Sequence, residues 1–144
     1  MKSRTNLFDL SDKNVIITGS AGFLGNQHCE AVLEHNGNPI LIDINKISLE
    51  SQKKKLETKY KKKILCFRKN LTNPNSLKSV RNYLLKNNIT IYALINNADY
   101  NPQVDINKKL NNFENENFTK WKKHLSIGLD STYLASKYLG SLIK

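Results

Sequence analysis

The stretch TGSAGFLG at residues 18–25 decides the fold of this chain of 144 residues. It follows the apolar run VIIT at 15–18, which is typical of a buried strand. It opens the segment 23–37, FLGNQHCEAVLEHNG, which predicts a helix closed by Gly37. A glycine-rich turn between a strand and a helix leaves backbone N–H groups free at the positive end of the helix dipole. The stretch therefore predicts a strand–turn–helix unit that binds a pyrophosphate.

Three glycines and one carboxylate make this prediction more specific. Gly19 permits a tight turn, Gly22 lets a ligand approach the backbone, and Gly25 lets the helix pack against the sheet. Asp43 ends the next predicted strand, 24 residues after Gly19, where an acid accepts hydrogen bonds from the two adenosine ribose hydroxyls. Because a carboxylate there repels a 2′-phosphate, the predicted cofactor is NAD rather than NADP. The alternative for Asp43 is an ordinary turn residue at a strand end.

The rest of the chain alternates short apolar runs with amphipathic segments. Further strands are predicted at 39–44, 64–67 and 91–96, and further helices at 46–62, 73–88 and 115–143. Asn73 is the expected cap of the third helix, with Pro74 in its first position, and a polar loop follows the fourth strand. This alternation is typical of a parallel sheet covered on both faces. Right-handed crossovers then favour a doubly wound α/β sheet with strand order 3-2-1-4.

Four motifs, in this order along the chain, resemble the N-terminal part of the short-chain dehydrogenase/reductase family. TGSAGFLG is similar to the family's Thr-Gly cofactor turn, and LIDIN carries its acid at Asp43. KNLTN at 69–73 resembles the Asp-Leu/Val-Thr segment that frames the adenine, with Asn70 in the place of the acid. INNAD at 95–99 resembles the Asn-Asn-Ala-Gly segment that stabilises the sheet and lines the cofactor ribose, with Asp99 in the place of the glycine. The resemblance implies a Rossmann-like fold that binds a nicotinamide dinucleotide. The cofactor-binding residues that it implies are Gly19, Ser20, Gly22, Phe23, Leu24, Gly25, Asp43, Asn70, Leu71, Asn97 and Ala98.

The resemblance also implies an activity. It is NAD(P)-dependent hydride transfer to or from a carbonyl or alcohol, and a sugar-type substrate is the expectation. The glycine spacing is that of the family's extended form, which modifies nucleotide sugars, whereas NNAD and the segment 121–137 are similar to the common short form. We favour the short form, and a nucleotide-sugar epimerase/dehydratase-like fragment is the alternative.

Tyr133 and Lys137 have the spacing of the Tyr-x-x-x-Lys pair with which the family transfers protons. In the family this pair follows a fifth strand that carries a catalytic Ser, and no such strand is predicted between residues 99 and 133. Lys137 also points away from the main apolar stripe of the last predicted helix, so we interpret the pair as a coincidence. That stripe consists of Phe118, Trp121, Leu125, Leu129, Thr132, Ser136, Leu139 and Ile143.

Two further features of the last predicted helix concern partners and chemistry. Ile127, Leu134 and Tyr138 form a second apolar stripe on an outer face, which in the family packs into a four-helix dimer bundle. Solvent exposure of these three residues is the alternative. Gly128 stands where the family carries a catalytic Asn, so the resemblance implies that this role is altered.

The expected domain organisation follows from the point that the last helix reaches. Residues 1–144 are expected to form one incomplete NAD(P)-binding domain, truncated after the fourth strand and a long helix, without the catalytic Ser, Tyr and Lys. No catalytic residue is therefore predicted, and the isolated chain is expected to be inactive. A homo-oligomer or a separately encoded C-terminal half is expected to join through the 115–143 helix and the edge of the fourth strand. The alternative is a non-catalytic module that binds NAD or a protein partner.

Composition restricts the remaining classes. The net charge is +11, but arginine occurs only at positions 4, 68 and 81, and phosphate recognition usually recruits arginine. We therefore favour compositional drift, and nucleic-acid binding is the alternative. Cys29 and Cys66 are predicted to be buried free thiols of a reducing compartment. Neither a membrane-spanning run nor the apolar core of a leader is found, so a cytoplasmic location is expected. The histidines lack metal-ligand spacing, and no metal is predicted.

Overall fold

A computed structural model describes residues 8–100, 113–115 and 117–143. The elements, in chain order, are β1 (Asn14–Thr18), α1 (Phe23–Glu34), β2 (Asn38–Asp43), α2 (Lys46–Tyr60), β3 (Leu65–Arg68), α3 (Pro74–Lys86), β4 (Ala93–Ile95), α4 (Phe118–Leu125) and α5 (Ser131–Tyr138). A π-helical turn at Ser126–Asp130 joins α4 to α5, and short 3₁₀ turns lie at Phe113–Asn115 and Gly140–Leu142. The polar loop predicted after the fourth strand lies largely outside the described residues, as do the first seven residues.

The four strands form one parallel sheet in the order β3-β2-β1-β4. Val15 pairs with Pro39 of β2 on one side and with Ala93 of β4 on the other, and Asp43 of β2 pairs with Arg68 of β3. All pairings are parallel, as the continuous apolar runs of the strands indicated. The predicted Rossmann-like, doubly wound sheet is confirmed, and its strand order changes direction between β1 and β4.

Helices cover both faces of the sheet, because successive strand residues point to opposite sides. Val15 and Ile17 face α1 and α2, whereas Ile16 faces α3 and α5. The buried residues of the first layer are Val15, Ile17, Cys29, Val32, Leu33, Leu41, Leu49, Leu56 and Ile64. Those of the second layer are Ile16, Ile40, Ile42, Leu71, Leu77, Val80, Leu84, Ile91 and Leu139.

The helix boundaries follow their capping residues. The side chain of Asn73 accepts a hydrogen bond from the N–H of Asn75, and Pro74 begins α3 as predicted. The prediction that Gly37 closes α1 is wrong, since Asn36 adopts the left-handed conformation with φ of +68°. Asn36 N–H donates to Leu33 O, and Gly37 N–H donates to Val32 O at 2.8 Å, which together form a Schellman motif. Gly37 is needed one residue later, where a Cβ would lie 2.7 Å from Val32 Cγ1.

The single long helix predicted for residues 115–143 is interrupted. It begins at Phe118 with Asn117 as its cap, and the π turn centred on Gly128 divides it. The hydroxyl of Ser131 donates to Ile127 O, and that of Thr132 donates to Gly128 O at 2.7 Å. Hydroxyls that bond back to carbonyls four residues earlier bend helices, so these two residues stabilise the interruption.

The burial of the two predicted apolar stripes of this segment differs from the prediction, although Leu139 of the main stripe is buried. Phe118, Trp121 and Leu129 of the predicted main stripe are exposed at 64%, 53% and 64%. Leu134 and Tyr138 of the predicted outer stripe instead pack against the core, next to the fully buried Leu139. The π turn inserts an extra residue and so changes the helical phase. The buried seam of α5 consists of small residues, Ser131 and Ala135, which a count of hydrophobic residues overlooks.

β4 forms one edge of the described sheet. Its only strand neighbour among the described residues is β1, and Ile143 makes an isolated parallel bridge to Ile91, just before β4. The rest of the edge, Ala93–Ile95, carries no second ladder within the described part of the chain. No helix in that part combines the length and the apolar character that crossing a bilayer requires.

Candidate functional site

The turn after β1 is fixed by close backbone contacts. Gly19 has φ of +60°, a conformation that suits glycine, and a Cβ there would lie 2.7 Å from Ala98 Cα. A Cβ at Gly25 would lie 2.2 Å from Gly19 O, so α1 rests directly on the turn. A Cβ at Gly22 would meet, among the described residues, only Gly19 O, at 3.3 Å. Packing therefore requires glycine at positions 19 and 25, whereas position 22 has space around it.

The first turn of α1 presents backbone N–H groups that no described residue pairs with. Gly22 is its N-cap residue, no side chain caps the helix, and its first turn contains no acidic residue. The first N–H groups of a helix have no partner within the helix, and the helix dipole makes this end positive. The exposed start of α1 is therefore suited to an anionic group.

Thr18 and Asn97 lock the turn to the segment after β4. The Thr18 hydroxyl donates to Ile95 O at 3.3 Å and accepts from the N–H groups of Asn97 and Ala98 at 3.0 and 3.1 Å. The amide of Asn97 in turn donates to Thr18 O and Gly19 O, both at 3.1 Å. Because Thr18 is 1% exposed, water cannot replace these bonds. Asn97 thus sets the separation between the two loops.

Asp43 lies at the end of β2 and faces the turn. Its Oδ2 accepts a hydrogen bond from Ala21 N–H at 3.0 Å, and its Oδ1 accepts one from Asn45 N–H at 2.9 Å. These bonds hold the half-buried carboxylate beside the glycine turn, while each oxygen keeps a second lone pair for another donor. Asp43 can therefore accept hydroxyl groups of a ligand bound at this turn.

Two cavities meet at the turn. The smaller cavity, of about 150 Å³, is lined by Gly19, Asp43, Ile44, Lys69, Asn70, Leu71, Thr72, Ala98, Asp99, Ile127 and Ser131. The larger cavity, of about 590 Å³, is lined by Gly19, Ala21, Gly22, Phe23, Leu24, Asp43, Asn45, Ser48, Asn97, Asp99 and Tyr100. They share Gly19, Asp43 and Asp99, so they form one continuous cleft along the carboxyl ends of β1, β2 and β4. Ligands of doubly wound sheets bind at such an edge.

Comparison with known families agrees with this geometry. The family model described as short chain dehydrogenase matches residues 13–143. The chain belongs to the short-chain dehydrogenase family. A sorbose reductase of Candida albicans is 27% identical to this chain over 143 residues, which cover 96% of the chain and 47% of the relative. A post-translational flagellin modification protein A of Campylobacter coli is 35% identical over 68 residues, 47% of the chain and 27% of that relative.

Solved structures agree in fold. A proposed D-mannonate oxidoreductase of Haemophilus influenza, solved with bound NAD, superposes with a TM-score of 0.79 at 21% identity, covering 93% of this chain and 51% of that one. A Brucella melitensis short-chain dehydrogenase/reductase, described as a glucose/ribitol dehydrogenase, gives 0.79 at 17% identity, covering 95% and 55%. The chain spans less than half the length of the curated relatives above and about half that of the two solved structures.

Nine of the eleven residues predicted to bind the cofactor line the cleft. The two others lie behind it. Ser20 is 0% exposed, and Gly25 is buried under the turn. Both residues therefore pack behind the turn, and neither lines the cleft. Asn70 lines the smaller cavity, but its Oδ1 already accepts from the N–H and hydroxyl of Thr72 at 3.0 and 2.9 Å. The side-chain oxygen of Asn70 therefore shapes its own loop.

Sequence reasoning missed several cleft residues. Ile127 was expected on an outer face, yet it and Ser131 line the smaller cavity, because the π turn directs this part of the segment towards the sheet. Tyr100 lines the larger cavity, and its ring meets that of His124 edge-on, with centroids 4.8 Å apart. Asp99 was noticed as a departure from the family's glycine but was not predicted to be a site residue. Its position directly after Asn97 and Ala98 was the available signal.

Tyr133 and Lys137 do not line the cleft. Both side chains are exposed, Tyr133 at 61%, and Lys137 Nζ lies 5.7 Å from the centre of the Tyr133 ring. They lie on the outer side of α5, away from Ile127 and Ser131, which face the smaller cavity. This placement is consistent with the interpretation of YLASK as a coincidence of spacing.

Neither thiols nor metal ligands add chemistry near the described cleft. Cys29 is buried in α1, and burial raises the pKa of its thiol to about 12, so it stays protonated at neutral pH. Cys66 is also free but only half-buried, contrary to the expectation that both are buried. The described residues contain no group of three or more His, Cys, Asp or Glu side chains arranged to hold a metal ion.

Proposed function

We propose that this chain is the dinucleotide-binding part of a short-chain dehydrogenase that uses NAD. The observation that carries the proposal is the arrangement of Gly19, the start of α1 and Asp43 around one cleft. Unpaired N–H groups at the start of α1 suit a pyrophosphate. The Asp43 carboxylate beside them suits a ribose diol. The two cavities that meet at Gly19 and Asp43 would hold the nucleosides on either side of the pyrophosphate.

Residues of the chain would hold the phosphates and the adenosine part of this cofactor. Gly22 is exposed beside the first turn of α1, so a phosphate can approach the backbone closely. Asp43 would hold the adenosine ribose, and the smaller cavity, with the buried Leu71 in its wall, would take the adenine. Bound NAD supplies the hydride acceptor in this family. The chain's own residues bind it, orient it and separate the two loops that flank it.

The proposed preference for NAD over NADP rests on the charge of Asp43. Its two oxygens are held by Ala21 N–H and Asn45 N–H, so the carboxylate cannot rotate away from the cleft without losing both bonds. A 2′-phosphate next to this fixed carboxylate would bring like charges together. The cationic Lys69 also lines the smaller cavity, and we expect it to compensate this repulsion only partly, since Asp43 is fixed and Lys69 is flexible.

We further propose that the substrate is a carbonyl or alcohol of the sugar type. The sorbose reductase among the relatives supports this substrate class. The Ser, Tyr and Lys that the family uses for catalysis would come from a segment that continues the sheet beyond β4. The bridge from Ile143 to Ile91 supports that location, because it begins a parallel pairing along the open edge of β4.

Phe118, Trp121, Leu125 and Leu129 form an exposed apolar stripe. This stripe is the proposed contact face for that segment or for a second copy of the chain. Phe118 and Trp121 stack with ring centroids 5.6 Å apart, and Leu125 and Leu129 continue the stripe. A contiguous apolar surface of this kind is typical of an interaction site. Size-exclusion chromatography with light scattering of the wild type and of Trp121→Ser would test it, and we expect the substitution to weaken any self-association.

A calorimetric titration of the purified chain with NAD tests the proposed function. We expect saturable binding that Asp43→Asn weakens by about tenfold or more, since hydrogen bonds to a charged acceptor contribute roughly 1.5–3 kcal/mol. The same substitution should also reduce the difference between the affinities for NAD and for NADP. Asp130→Asn is the matched control, because Asp130 is an exposed aspartate that lines neither cavity. A folded wild type that gives no binding heat with NAD at millimolar concentrations contradicts the proposal.

Two other functions share the same cleft. In a non-catalytic module, NAD would bind tightly to the isolated chain, and adding the segment that completes the sheet would produce no dehydrogenase activity. The spacing of Gly19, Gly22 and Gly25 favours a nucleotide-sugar epimerase or dehydratase instead. That alternative predicts turnover of a nucleotide sugar without net consumption of NAD by the completed protein, and product analysis by mass spectrometry distinguishes the two.

A further inference from the structure

Asp99 is a charged residue of the cleft that has no role in the proposed function. It lines both cavities, and its side chain is exposed to the cleft. Its Oδ1 accepts a hydrogen bond from Tyr100 N–H at 2.7 Å, which restricts the orientation of the carboxylate. No described residue donates to Oδ2. The carboxylate is therefore held in place with acceptor capacity to spare.

Gly128 provides the space that this carboxylate occupies. A Cβ at position 128 would lie 3.1 Å from Asp99 Oδ1 and 3.8 Å from Asp99 Cγ, and no other described residue outside its own helical turn comes within 4 Å. Gly128 lies in the π turn between α4 and α5, and such turns frequently occur at functional sites. Because Gly128 has no side chain, the Asp99 side chain can lie beside it.

Asp43 and Asp99 are placed on opposite sides of the glycine turn. Asp43 ends β2 and Asp99 follows β4, while β1, which leads into the turn, lies between these two strands. A dinucleotide has two riboses joined through one pyrophosphate. If the pyrophosphate lies at the turn after β1, one ribose extends towards β2 and the other towards β4. The topology therefore provides one carboxylate for each ribose.

We propose that Asp99 is the acceptor for the hydroxyls of the second ribose, and that Gly128 is a positioning residue that keeps its carboxylate in place. This inference rests on the proposed function, since it assumes that a dinucleotide binds in the cleft. It extends that function by assigning recognition of the nicotinamide-side ribose to this chain's own carboxylate.

Titrations with ADP, ADP-ribose and NAD test the inference, because ADP lacks the second ribose. We expect Asp99→Ala to weaken ADP-ribose and NAD by roughly tenfold or more, as for the loss of hydrogen bonds to a charged acceptor. ADP affinity should change less than about twofold. Gly128→Ala should give the same pattern more weakly, since its methyl group displaces the carboxylate by only a few tenths of an ångström. Asp130→Asn again serves as the control, and thermal melts verify folding.

Simple charge repulsion predicts a different pattern. ADP carries more negative charge than ADP-ribose, so a carboxylate that only repels phosphates would make Asp99→Ala tighten ADP most. An equal change for ADP and ADP-ribose, or tighter binding of ADP-ribose, overturns the inference. If Asp99→Ala does not fold, Asp99→Asn retains the shape of the side chain and gives the same ligand ratio. If Asp43→Asn weakens all three ligands but Asp99→Ala changes none of their affinities, this inference alone is overturned. If the wild type binds neither NAD nor ADP, the proposed function is overturned as well.

Discussion

Replacing Gly25 with alanine tests whether α1 is held by direct contact with the glycine turn. The added Cβ would lie 2.2 Å from Gly19 O, 2.7 Å from Ser20 Cα and 2.8 Å from Ser20 C. Non-bonded heavy atoms are at their optimum near about 3.5 Å, so α1 must move by about 1 Å. All three opposing atoms belong to the backbone and cannot rotate away. The strain must therefore be spread over the turn and the helix.

The expected loss of stability follows from this overlap. Overpacking a core lowers stability by about 1–3 kcal/mol. Because the opposing backbone atoms cannot move away, we expect a loss near the upper end of that range. The higher helix propensity of alanine returns up to about 1 kcal/mol. We expect the free energy of unfolding to fall by about 2 kcal/mol, which lowers the melting temperature by roughly 6 °C for a chain of this size. Circular dichroism melts and urea titrations measure both quantities.

Gly22→Ala is the matched comparison, because it adds the same methyl group at the same turn. Within the described part of the chain its Cβ would meet only Gly19 O, at 3.3 Å, and Gly22 lines the larger cavity. We expect its stability to fall by less than about 1 kcal/mol, since alanine is a poorer N-cap than glycine. Its NAD affinity should fall by about tenfold, because the methyl group occupies space that a phosphate would use. Gly25→Ala thus acts mainly on folding and Gly22→Ala mainly on binding.

The comparison has two outcomes that refute the reasoning. One is a Gly25→Ala protein with an unchanged melting temperature, which would mean that α1 is not in contact with the turn. The other is a Gly22→Ala protein that is destabilised as much as Gly25→Ala yet binds NAD normally.

Three further predictions concern the core and the loops. Thr18→Val should cost about 2–4 kcal/mol, because the half-buried N–H groups of Asn97 and Ala98 lose their shared acceptor, and an unchanged urea midpoint would contradict this. Leu77→Ala should cost about 2–5 kcal/mol, since Leu77 is 0% exposed, and the same urea titration measures it. Because burial raises the pKa of Cys29 from 9.0 to about 12, an unfolded chain releases its thiol proton before the folded chain does. Unfolding free energy should therefore fall by roughly 1.4 kcal/mol per pH unit from pH 9 towards 12, and Cys29→Ala should lack this component in parallel urea titrations.

The local architecture could be predicted from the sequence because its determinants are neighbours along the chain. The run VIIT, the following glycines and the next helix form one continuous unit, and Asn73-Pro74 marks a helix start by side-chain capping alone. The parallel strand order then follows from general rules of handedness and connection. Asp43 could be predicted as well, because a strand end next to the glycine turn is fixed by the same rules.

The C-terminal segment could not be predicted in the same way. Helical periodicity placed Phe118, Trp121 and Leu129 in the main apolar stripe, although they are exposed. A count of hydrophobic residues cannot detect a π turn that is stabilised by the hydroxyls of Ser131 and Thr132. The phase of the helix was therefore a tertiary property, set by how closely small residues let α5 approach the sheet.

The sequence by itself determined a doubly wound sheet with a glycine turn and an acid at the end of β2, because each of these depends on residues close together in the chain or on universal chain geometry. The tertiary structure alone decided that Asp99 shares the cleft with Asp43 and that Gly128 leaves room for its carboxylate. Positions 99 and 128 belong to different elements, and the distance between their atoms is set only when α4, the π turn and α5 pack against the sheet.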